Sequence, residues 1–256
     1  MGNVSAKTAS ASVSGSTNPA LGTLFNAMGG YELYNAEIES FFRENFVYRS
    51  TLHRKERFAT LNSFGRDTVV YLHRGRLKNY IANPAGQEVF LGFMPQHSTI
   101  STMRGGYDLG KGMTASTDCS IYIATNDSYL QFLQSSPALI EHQLLEPYYR
   151  RNLNDFPKIE TMFYPTQVKV YEYVLYLVTL FGKPDPQDAG SLTMMFPPSI
   201  KDIASYLGIH RSNASRYLSQ LEKEGFVEHS PKQLTVHNAA ALSNEIEALK
   251  NAHLEK

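Results

Sequence analysis

The chain has 256 residues, and its 24 basic and 24 acidic side chains give a formal net charge of zero at pH 7. A neutral chain is not expected to coat nucleic acid, but it leaves room for a small domain with local positive charge. Hydrophobic residues make up 42% of the chain, which is enough for one or two cores and excludes a disordered protein. Cys119 is the only cysteine, which excludes an intramolecular disulfide and a cluster held by several thiolates.

The expected location of the protein follows from three features. Residues 1–20 are rich in Ser, Ala and Thr and lack an apolar segment, so they are predicted to form a disordered tail and not a secretory signal. The longest apolar run, residues 170–181, is too short to span a bilayer and contains Glu172. A single free thiol is typical of a reducing compartment. We therefore expect a soluble, cytoplasmic protein.

Short strands are predicted between residue 41 and about residue 125. Four stretches that alternate polar and apolar side chains are predicted strands, at 67–75, 76–82, 87–94 and 119–125. The Asn-Pro-Ala-Gly sequence at 83–86 is predicted to form a turn. Many short strands at this spacing predict an antiparallel sandwich or barrel of about 100 residues.

A long helical stretch follows the strands. Apolar positions between residues 128 and 163 fit this stretch, and Pro137 suits the first turn of a helix within it. Pro147 and Pro157 each remove a backbone hydrogen bond, at a cost of roughly 3 kcal/mol inside a helix. We therefore expect kinks or a broken helix at these two residues.

The next helix is expected to begin at a boundary formed by Tyr164 and Pro165, and to run to about Phe181. Residues 182–191 are rich in Gly, Pro and Asp and are predicted to form a loop.

Residues 199–238 carry the most specific pattern in the chain. Ser199 suits the cap of a helix that ends at Gly208, where a tight turn between two helices is required. A second helix follows and ends before Gly225, with apolar residues at positions 214, 218 and 221 on one face. The residues after Gly225 predict a two-stranded wing. This is the pattern of a winged helix-turn-helix.

The polar face of the second helix points to DNA. A major groove admits an α-helix, and an Arg side chain binds guanine O6 and N7 through two parallel hydrogen bonds. The sequence between Ile203 and Leu221 contains two Arg and no acidic residue, so this face is positive. The predicted DNA-binding residues are Ser199, Lys201, His210, Arg211, Ser212, Asn213, Ser215, Arg216 and Lys232, the two lysines as phosphate contacts. An ordinary three-helix core and a winged helix that contacts only protein are the alternatives.

The order of these parts resembles the family of the cyclic-AMP receptor protein and the fumarate–nitrate reduction regulator. The resemblance covers about residues 40–240 and is strongest in the sequence IASYLGIHRSNASRYLSQLEKEG. It implies an α+β chain with an N-terminal antiparallel β-roll, like those that bind cyclic nucleotides, a long dimerisation helix and a C-terminal winged helix-turn-helix. It also implies contact with RNA polymerase and a homodimer, formed through the segment ALIEHQLLEPYYRRNLNDF, that binds a palindrome with half-sites about 34 Å apart.

The resemblance also divides the chain and bears on the operator. We expect a tail at 1–20, a β-roll effector-sensing domain at 21–136, a dimerisation helix and hinge at 137–164, and a winged helix-turn-helix domain at 165–256. The family often has Glu where Ser212 stands. Without that carboxylate the helix lacks an acceptor for cytosine N4, so we expect a different half-site.

A near match to a phosphate-binding loop occurs in the sequence GGYDLGKGMT, residues 105–114. Gly105, Gly110 and Lys111 have the spacing of the loop, but Gly112 replaces the Ser or Thr that holds Mg²⁺. Such a loop opens a helix, whereas the sequence that follows predicts a strand. We interpret the match as coincidental.

The same segment falls where the family's cyclic-nucleotide sensors place their phosphate-binding cassette. That cassette resembles Gly-Glu followed by Arg-Ser or Arg-Thr. Here Ser-Thr-Ile-Ser-Thr, residues 98–102, stands in place of Gly-Glu, and no Arg-Ser pair follows. We therefore expect a small-molecule effector other than cyclic AMP.

The effector is predicted to bind between the β-roll and the long helix. The predicted lining is Arg104, Tyr107, Lys111, Thr114, Tyr148, Tyr149 and Asn152. Tyr side chains and a cation suit a small organic anion or a phenolic compound. Packing of the tyrosines in a dimer interface is the alternative.

Three further functions are kept as alternatives. A haem-based sensor would take an axial ligand from His53, His73, His97, His142 or Met103. A redox sensor would use Cys119, whose strand-like surroundings instead predict buried packing. A cupin-like metal-dependent enzyme would use His53, His73, His97 and Glu88, but the sequence has no His-x-His motif and the winged helix would be left unexplained. We therefore predict neither an enzyme nor a metal site.

Overall fold

The computed structural model describes residues 33–58, 67–83, 85–101 and 111–255. The side chains of residues 101, 111 and 189 are outside this description. The predicted tail at 1–20, the Gly-rich residues 105–110 and the candidate residues Arg104 and Tyr107 also lie outside it.

Antiparallel strands form the N-terminal part of the fold. They are β1 Tyr48–Leu52, β2 Arg57–Phe58, β3 Thr68–Arg74, β4 Leu77–Ala82, β5 Glu88–Met94, β6 Thr99–Ser101, β7 Lys111–Ala115 and β8 Cys119–Thr125. One sheet has the order β1-β8-β3-β6, and the other has the order β2-β7-β4-β5. The four predicted strands are confirmed as β3, β4, β5 and β8.

Apolar side chains from both sheets meet in one core. Members of this core include Val70, Leu72, Leu77, Met94, Cys119, Ile121 and Ile123. Their alternation along the strands is what the sequence pattern predicted, because successive side chains of a strand point to opposite faces. The predicted turn at 83–86 is closed by the Asn83 amide, which donates to the Gln87 carbonyl at 3.0 Å.

Three helices cover the outer face of the first sheet. They are α1 Ala36–Asn45, α2 Asn126–Leu133 and α3 Pro137–Glu160. Aromatic residues dominate this second core, in which the Phe42 ring stacks on the Tyr71 ring at a centroid distance of 4.9 Å. Helices packed on antiparallel sheets give the α+β architecture that was predicted.

We expected kinks or a broken helix at the two internal prolines, and the broken helix was wrong. Pro137 opens α3 as predicted, but the helix runs through Pro147 and Pro157 to Glu160. Pro157 has no N–H for the Leu153 carbonyl four residues earlier. The Tyr176 hydroxyl donates to that carbonyl instead, so a neighbouring helix satisfies the acceptor.

A further helix and a third sheet follow α3. Pro165 caps α4, Thr166–Phe181, as predicted. The predicted loop at 182–191 was wrong, because β9 Lys183–Asp185 and β10 Asp188–Met195 form a hairpin. β9 is an exposed edge strand containing Pro184, so it lacks the alternation that identifies a strand.

The C-terminal elements complete the third sheet and its helical cover. They are α5 Ile200–Leu207, α6 Arg211–Lys223, β11 Val227–His229, β12 Gln233–Val236 and α7 Ala239–Leu254. The third sheet has the order β11-β12-β10-β9, so the predicted two-stranded wing belongs to a four-stranded sheet. Phe90 and Phe93 of β5 lie in the same apolar core as these elements. Among the helices that the structure describes, none is long and apolar enough to cross a membrane.

Candidate nucleic-acid interface

The first helix of the predicted helix-turn-helix, α5, is held by its cap and its turn. The Ser199 hydroxyl accepts from the Asp202 amide at 3.2 Å, and the Asp202 carboxylate accepts from the Ser199 amide at 3.1 Å. This reciprocal pair is a capping box. Gly208 has φ 65°, a left-handed conformation that favours glycine, and Ile209 then packs against the core. The predicted cap, helix and turn are confirmed.

The second helix, α6, has one buried and one exposed face. Ala214, Leu218 and Leu221 are buried. Among the predicted reading residues, Arg211, Ser212 and Arg216 are exposed, and Asn213 and Ser215 are half-buried. The first acidic residue of α6 is Glu222, near its C-terminal end. The N-terminal turns of α6 therefore present two guanidinium groups to solvent.

The remaining predicted contacts surround α6. His210 is the exposed N-cap residue of α6 and makes no side-chain capping hydrogen bond. The first N–H groups of a helix attract an anion. Lys201 is exposed on α5, and Lys232 is exposed between the two strands of the wing. Ser199 is exposed, but its hydroxyl already serves the cap.

Tyr217 is a residue of this surface that the sequence analysis missed. A guanidinium nitrogen of Arg216 donates to the Tyr217 hydroxyl at 2.8 Å, and the guanidinium carbon lies 4.5 Å from the centre of the Tyr217 ring. Tyr217 itself packs against the core. A predicted reading arginine is thus held by its neighbour, and an aromatic residue beside it was the only sequence signal.

The charge of the surface changes sign along α6. A groove of about 370 Å³ beside the C-terminal end of α6 is lined by Glu222, Val227, Glu228, His229, Ser230 and Gln233. Burial lowers the pKa of His229, which opposes a positive charge there, although Glu222 acts in the other direction. The positive charge is therefore concentrated at the N-terminal end of α6.

The predicted effector pocket lies only partly in the described residues. Thr114 is half-buried on β7, where it pairs with Lys78 of β4. Tyr148 is 60% exposed on α3 and its ring is perpendicular to the Tyr149 ring, with centroids 5.7 Å apart. Asn152 is half-buried on the same helix. The Lys111 backbone lies in β7, and its side chain is outside the description.

A polar seam between β6 and α3 was also missed. The Gln143 amide donates to the Thr99 hydroxyl at 3.0 Å, and the Arg150 guanidinium reaches the Thr99 carbonyl at 3.5 Å. Arg150 also pairs at 2.9 Å with Glu146, whose side chain is 1% exposed. The sequence signal for this seam was the spacing of Glu146 and Arg150, an acid and a base four residues apart on a predicted helix. Thr99 belongs to the Ser-Thr-Ile-Ser-Thr sequence at 98–102.

The candidate haem and metal ligands do not converge. The His97 ring nitrogens lie 2.9 Å from the Tyr71 hydroxyl and 2.9 Å from the Gln96 amide nitrogen, respectively. Glu88 pairs with Arg57 at 2.5 Å, and Met103 lies outside the described residues. In the described part of the chain, no three His, Cys, Asp or Glu residues are grouped to hold a metal ion. The haem and cupin alternatives gain no support from this arrangement.

Cys119 is buried in β8, as the sequence predicted. Burial raises the pKa of its thiol, although hydrogen bonding with the Arg76 backbone and with Thr117 acts in the other direction. A buried thiol of raised pKa is poorly reactive, because the thiolate is the nucleophile. The redox alternative gains no support either.

The comparisons with known proteins agree with the winged-helix geometry. Residues 169–245 match the family model of the Crp-like helix-turn-helix domain. No curated protein matches the sequence. Solved structures with a similar fold include OCPA-complexed CprK, which is 15% identical, with 83% of this chain and 94% of that chain covered and a TM-score of 0.60.

Two other solved structures give the same result. FixK2 from Bradyrhizobium japonicum is 18% identical, with 77% of this chain and 96% of that chain covered and a TM-score of 0.60. A CooA mutant from Carboxydothermus hydrogenoformans is 18% identical, with 87% of this chain and 95% of that chain covered and a TM-score of 0.60. At these identities the likeness concerns the fold. The chain therefore carries a Crp-like helix-turn-helix domain at residues 169–245, and its fold is similar to that of these solved structures.

Proposed function

We propose that the protein is a homodimeric, sequence-specific regulator whose α6 helix reads a palindromic operator in the major groove. The exposed face of α6 carries this proposal. Arg211, Ser212 and Arg216 face solvent on its N-terminal turns, while the opposite face is anchored in the core. Residues at the N-terminal end of a recognition helix are those that reach base edges.

Dimerisation is assigned to α3. Ile140, Leu144 and Tyr148 recur at intervals of four residues on this helix and are 41%, 72% and 60% exposed. Large apolar side chains on one helical stripe favour a second apolar surface. A twofold axis along α3 would relate the two α6 helices, as a palindrome with half-sites about 34 Å apart requires.

Control of DNA binding is assigned to a small-molecule effector other than cyclic AMP, held between the β-roll and α3. We propose Arg104, Tyr107, Lys111, Thr114, Tyr148, Tyr149 and Asn152 as its contacts, and a small organic anion or a phenolic compound as its class. The Thr99 hydroxyl is taken up by Gln143 of α3, in the segment where a nucleotide sensor places its ribose contact. The similar CprK structure contains OCPA. Such an effector must bind the arrangement that is competent for DNA binding more tightly than the arrangement that is not. RNA polymerase is the proposed protein partner of the DNA-bound dimer.

The test is Arg216→Ala, with operators selected from a random-sequence DNA library by the wild-type protein. Fluorescence anisotropy is expected to show sequence-specific binding by the wild type and its loss in the variant. The loss of a bidentate base contact removes about 1–3 kcal/mol of discrimination per half-site. Light scattering is expected to give the same dimer mass for both proteins.

Lys223→Ala is the matched control, because Lys223 is an exposed cation at the other end of α6. It is expected to retain specific binding. If Arg216→Ala retains full specificity, α6 is not the reading helix. If the wild-type protein is a monomer at micromolar concentration, the dimer proposal is wrong.

A further inference from the structure

The segment that joins β10 to α5 has a strained backbone. Phe196, in this connector, has φ 52°, in the left-handed region. A bulky residue rarely adopts this conformation and keeps it only where its surroundings fix it. The Phe196 amide donates to the Lys232 carbonyl of the wing at 2.7 Å. Any group that fixes Phe196 therefore acts on both the helix-turn-helix and its wing.

Two arginines of the β-roll fix this connector. Arg76, which is 7% exposed, donates through one nitrogen to the Met195 carbonyl at 2.7 Å and the Phe196 carbonyl at 2.8 Å. Its guanidinium carbon lies 4.7 Å from the centre of the Phe93 ring. The Arg54 guanidinium lies over the Phe196 ring at 4.2 Å. The strained residue is thus held at its carbonyl and at its ring.

A second attachment lies two residues along the chain from Arg76. Lys78 of β4 forms an ion pair with Asp202 of α5, with 2.7 Å between the ammonium nitrogen and Oδ1. The other oxygen of Asp202 caps α5 through Ser199. On the neighbouring strand, the Phe90 amide donates to the Ser205 hydroxyl at 3.1 Å. The sheet that contains β4 and β5, together with Arg76, therefore binds both the connector and the first helix of the helix-turn-helix.

These polar contacts differ in effect from the apolar core that the two parts share. Phe90 packs near Tyr206 at a ring distance of 6.0 Å, and such apolar contacts are not directional. A guanidinium on two carbonyls and an ammonium on a carboxylate each demand a defined geometry. The polar contacts therefore define one position of the helix-turn-helix against the sheet.

The attached arrangement leaves the reading face free. Arg211, Ser212 and Arg216 are exposed while both attachments are made. The attachments therefore do not cover the DNA-binding surface, and they restrict the positions that α6 adopts. A dimer that must place two α6 helices on one operator binds more tightly when the position of each helix is fixed before binding.

We propose that Arg76 and Lys78 are positioning residues for DNA recognition, which fix α6 against the β-roll and so set the spacing of the two α6 helices in the dimer. The inference rests on the proposed function, because spacing matters only if two helices bind one palindrome. Neither residue is assigned a contact with DNA. Their effect is confined to DNA that engages both helices.

The test compares two DNA probes, a selected palindrome and the same duplex with one half-site scrambled. Lys78→Met and Arg76→Gln are expected to weaken binding to the palindrome at least about fivefold, the lower end of usual coupling between sites. Binding to the single half-site is expected to be unchanged. Lys78→Arg keeps the ion pair and is expected to restore wild-type affinity. Arg74→Gln, at an exposed cation that ends β3 in the other sheet, is the control for loss of charge.

The outcomes separate the possibilities. Equal weakening on both probes would mean a structural role in the helix-turn-helix itself and would overturn the inference. Unchanged or tighter binding to the palindrome would overturn it too. No specific binding by the wild-type protein would overturn the proposed function and this inference together. Lys78 has a side chain that is 25% exposed, so Lys78→Met keeps the test decisive if Arg76→Gln does not fold.

Discussion

The ammonium nitrogen of Lys250 lies 3.2 Å from a carboxylate oxygen of Glu172, and both side chains are almost completely buried. Glu247 and Glu160 lie 3.1 Å and 3.3 Å from the same nitrogen. Lys250 is on the C-terminal helix α7, Glu172 is on α4 and Glu160 ends α3. One cation thus joins the end of the proposed dimerisation helix to the helix-turn-helix domain.

Lys250→Met is expected to destabilise the protein by about 3–5 kcal/mol, because it leaves the buried Glu172 without this cation. The free energy of unfolding from urea titration is the measurement. The double variant Lys250→Met with Glu172→Gln is expected to lose less unfolding free energy than Lys250→Met alone, because it contains no uncompensated buried carboxylate. An additive double variant would contradict this account of the pair.

The same group predicts a pH dependence at the alkaline end. Burial acts to lower the pKa of Lys250, but Glu172, Glu247 and Glu160 outweigh burial and hold the pKa above its usual value. A raised pKa means that the stabilisation is complete below the unfolded value and is lost as the pH rises above it. The difference in unfolding free energy between wild type and Lys250→Met is therefore expected to be constant between about pH 7 and about pH 10 and to shrink above that range.

The hydroxyl of Tyr176 replaces the helical donor that Pro157 removes. Tyr176→Phe is expected to lower the unfolding free energy by about 1–2 kcal/mol, because the half-buried Leu153 carbonyl loses its partner. Tyr34→Phe, at an exposed position ahead of α1, is expected to stay within about 0.5 kcal/mol of wild type. Equal effects of the two substitutions would show that the Tyr176 hydroxyl does not support α3.

Gly208 separates α5 from α6 with φ 65°, and an added Cβ there would meet no atom within 4 Å. Gly208→Ala is therefore expected to cost only the strain of the left-handed conformation, about 1–2 kcal/mol. Gly208→Asn is expected to cost less, because Asn tolerates this conformation. Thermal unfolding of the three proteins tests the order Gly, Asn, Ala. An alanine variant as stable as the wild type would contradict the assigned turn.

The histidine pair beside α1 predicts a loss of stability in mild acid. Burial is the main cause that lowers the pKa of His97, and the pKa of His73 is lowered chiefly by burial as well. The unfolded chain then binds protons more readily, so stability falls as the pH drops below the unfolded value of about 6.5. When the pH is lowered from about 7.5 to about 5.5, the unfolding free energy of His97→Gln is expected to fall less than that of the wild type. An identical pH slope in both proteins would rule out a contribution from His97.

Local patterns predicted the elements of the DNA-binding domain. Ser199 and Gly208 mark the ends of α5, and apolar residues at 214, 218 and 221 decide which face of α6 is buried. The exposure of Arg211 and Arg216 followed from that choice of face. These predictions succeeded because caps, turns and helical periodicity depend on residues within a few positions of one another.

The incorrect predictions have a common cause. Pro157 alone predicts a break in α3. In the structure, the Tyr176 hydroxyl of another helix supplies the missing hydrogen-bond donor. Residues 183–185 alone predict a loop. In the structure, they pair with the edge of β10 and form a strand. In both cases the local preference was weak or unfavourable, and a tertiary partner reversed it.

The sequence by itself determined the helix-turn-helix, the strands of the β-roll and the positive charge of α6, because each depends on spacing over one or two turns or strands. Only the tertiary structure decided how the domain is held. Arg76 reaches the carbonyl of Phe196 across 120 positions, and Lys78 reaches Asp202 across 124. A cation in a strand pattern carries no signal of which distant acceptor it will meet, since that choice is made by the packing of the whole chain.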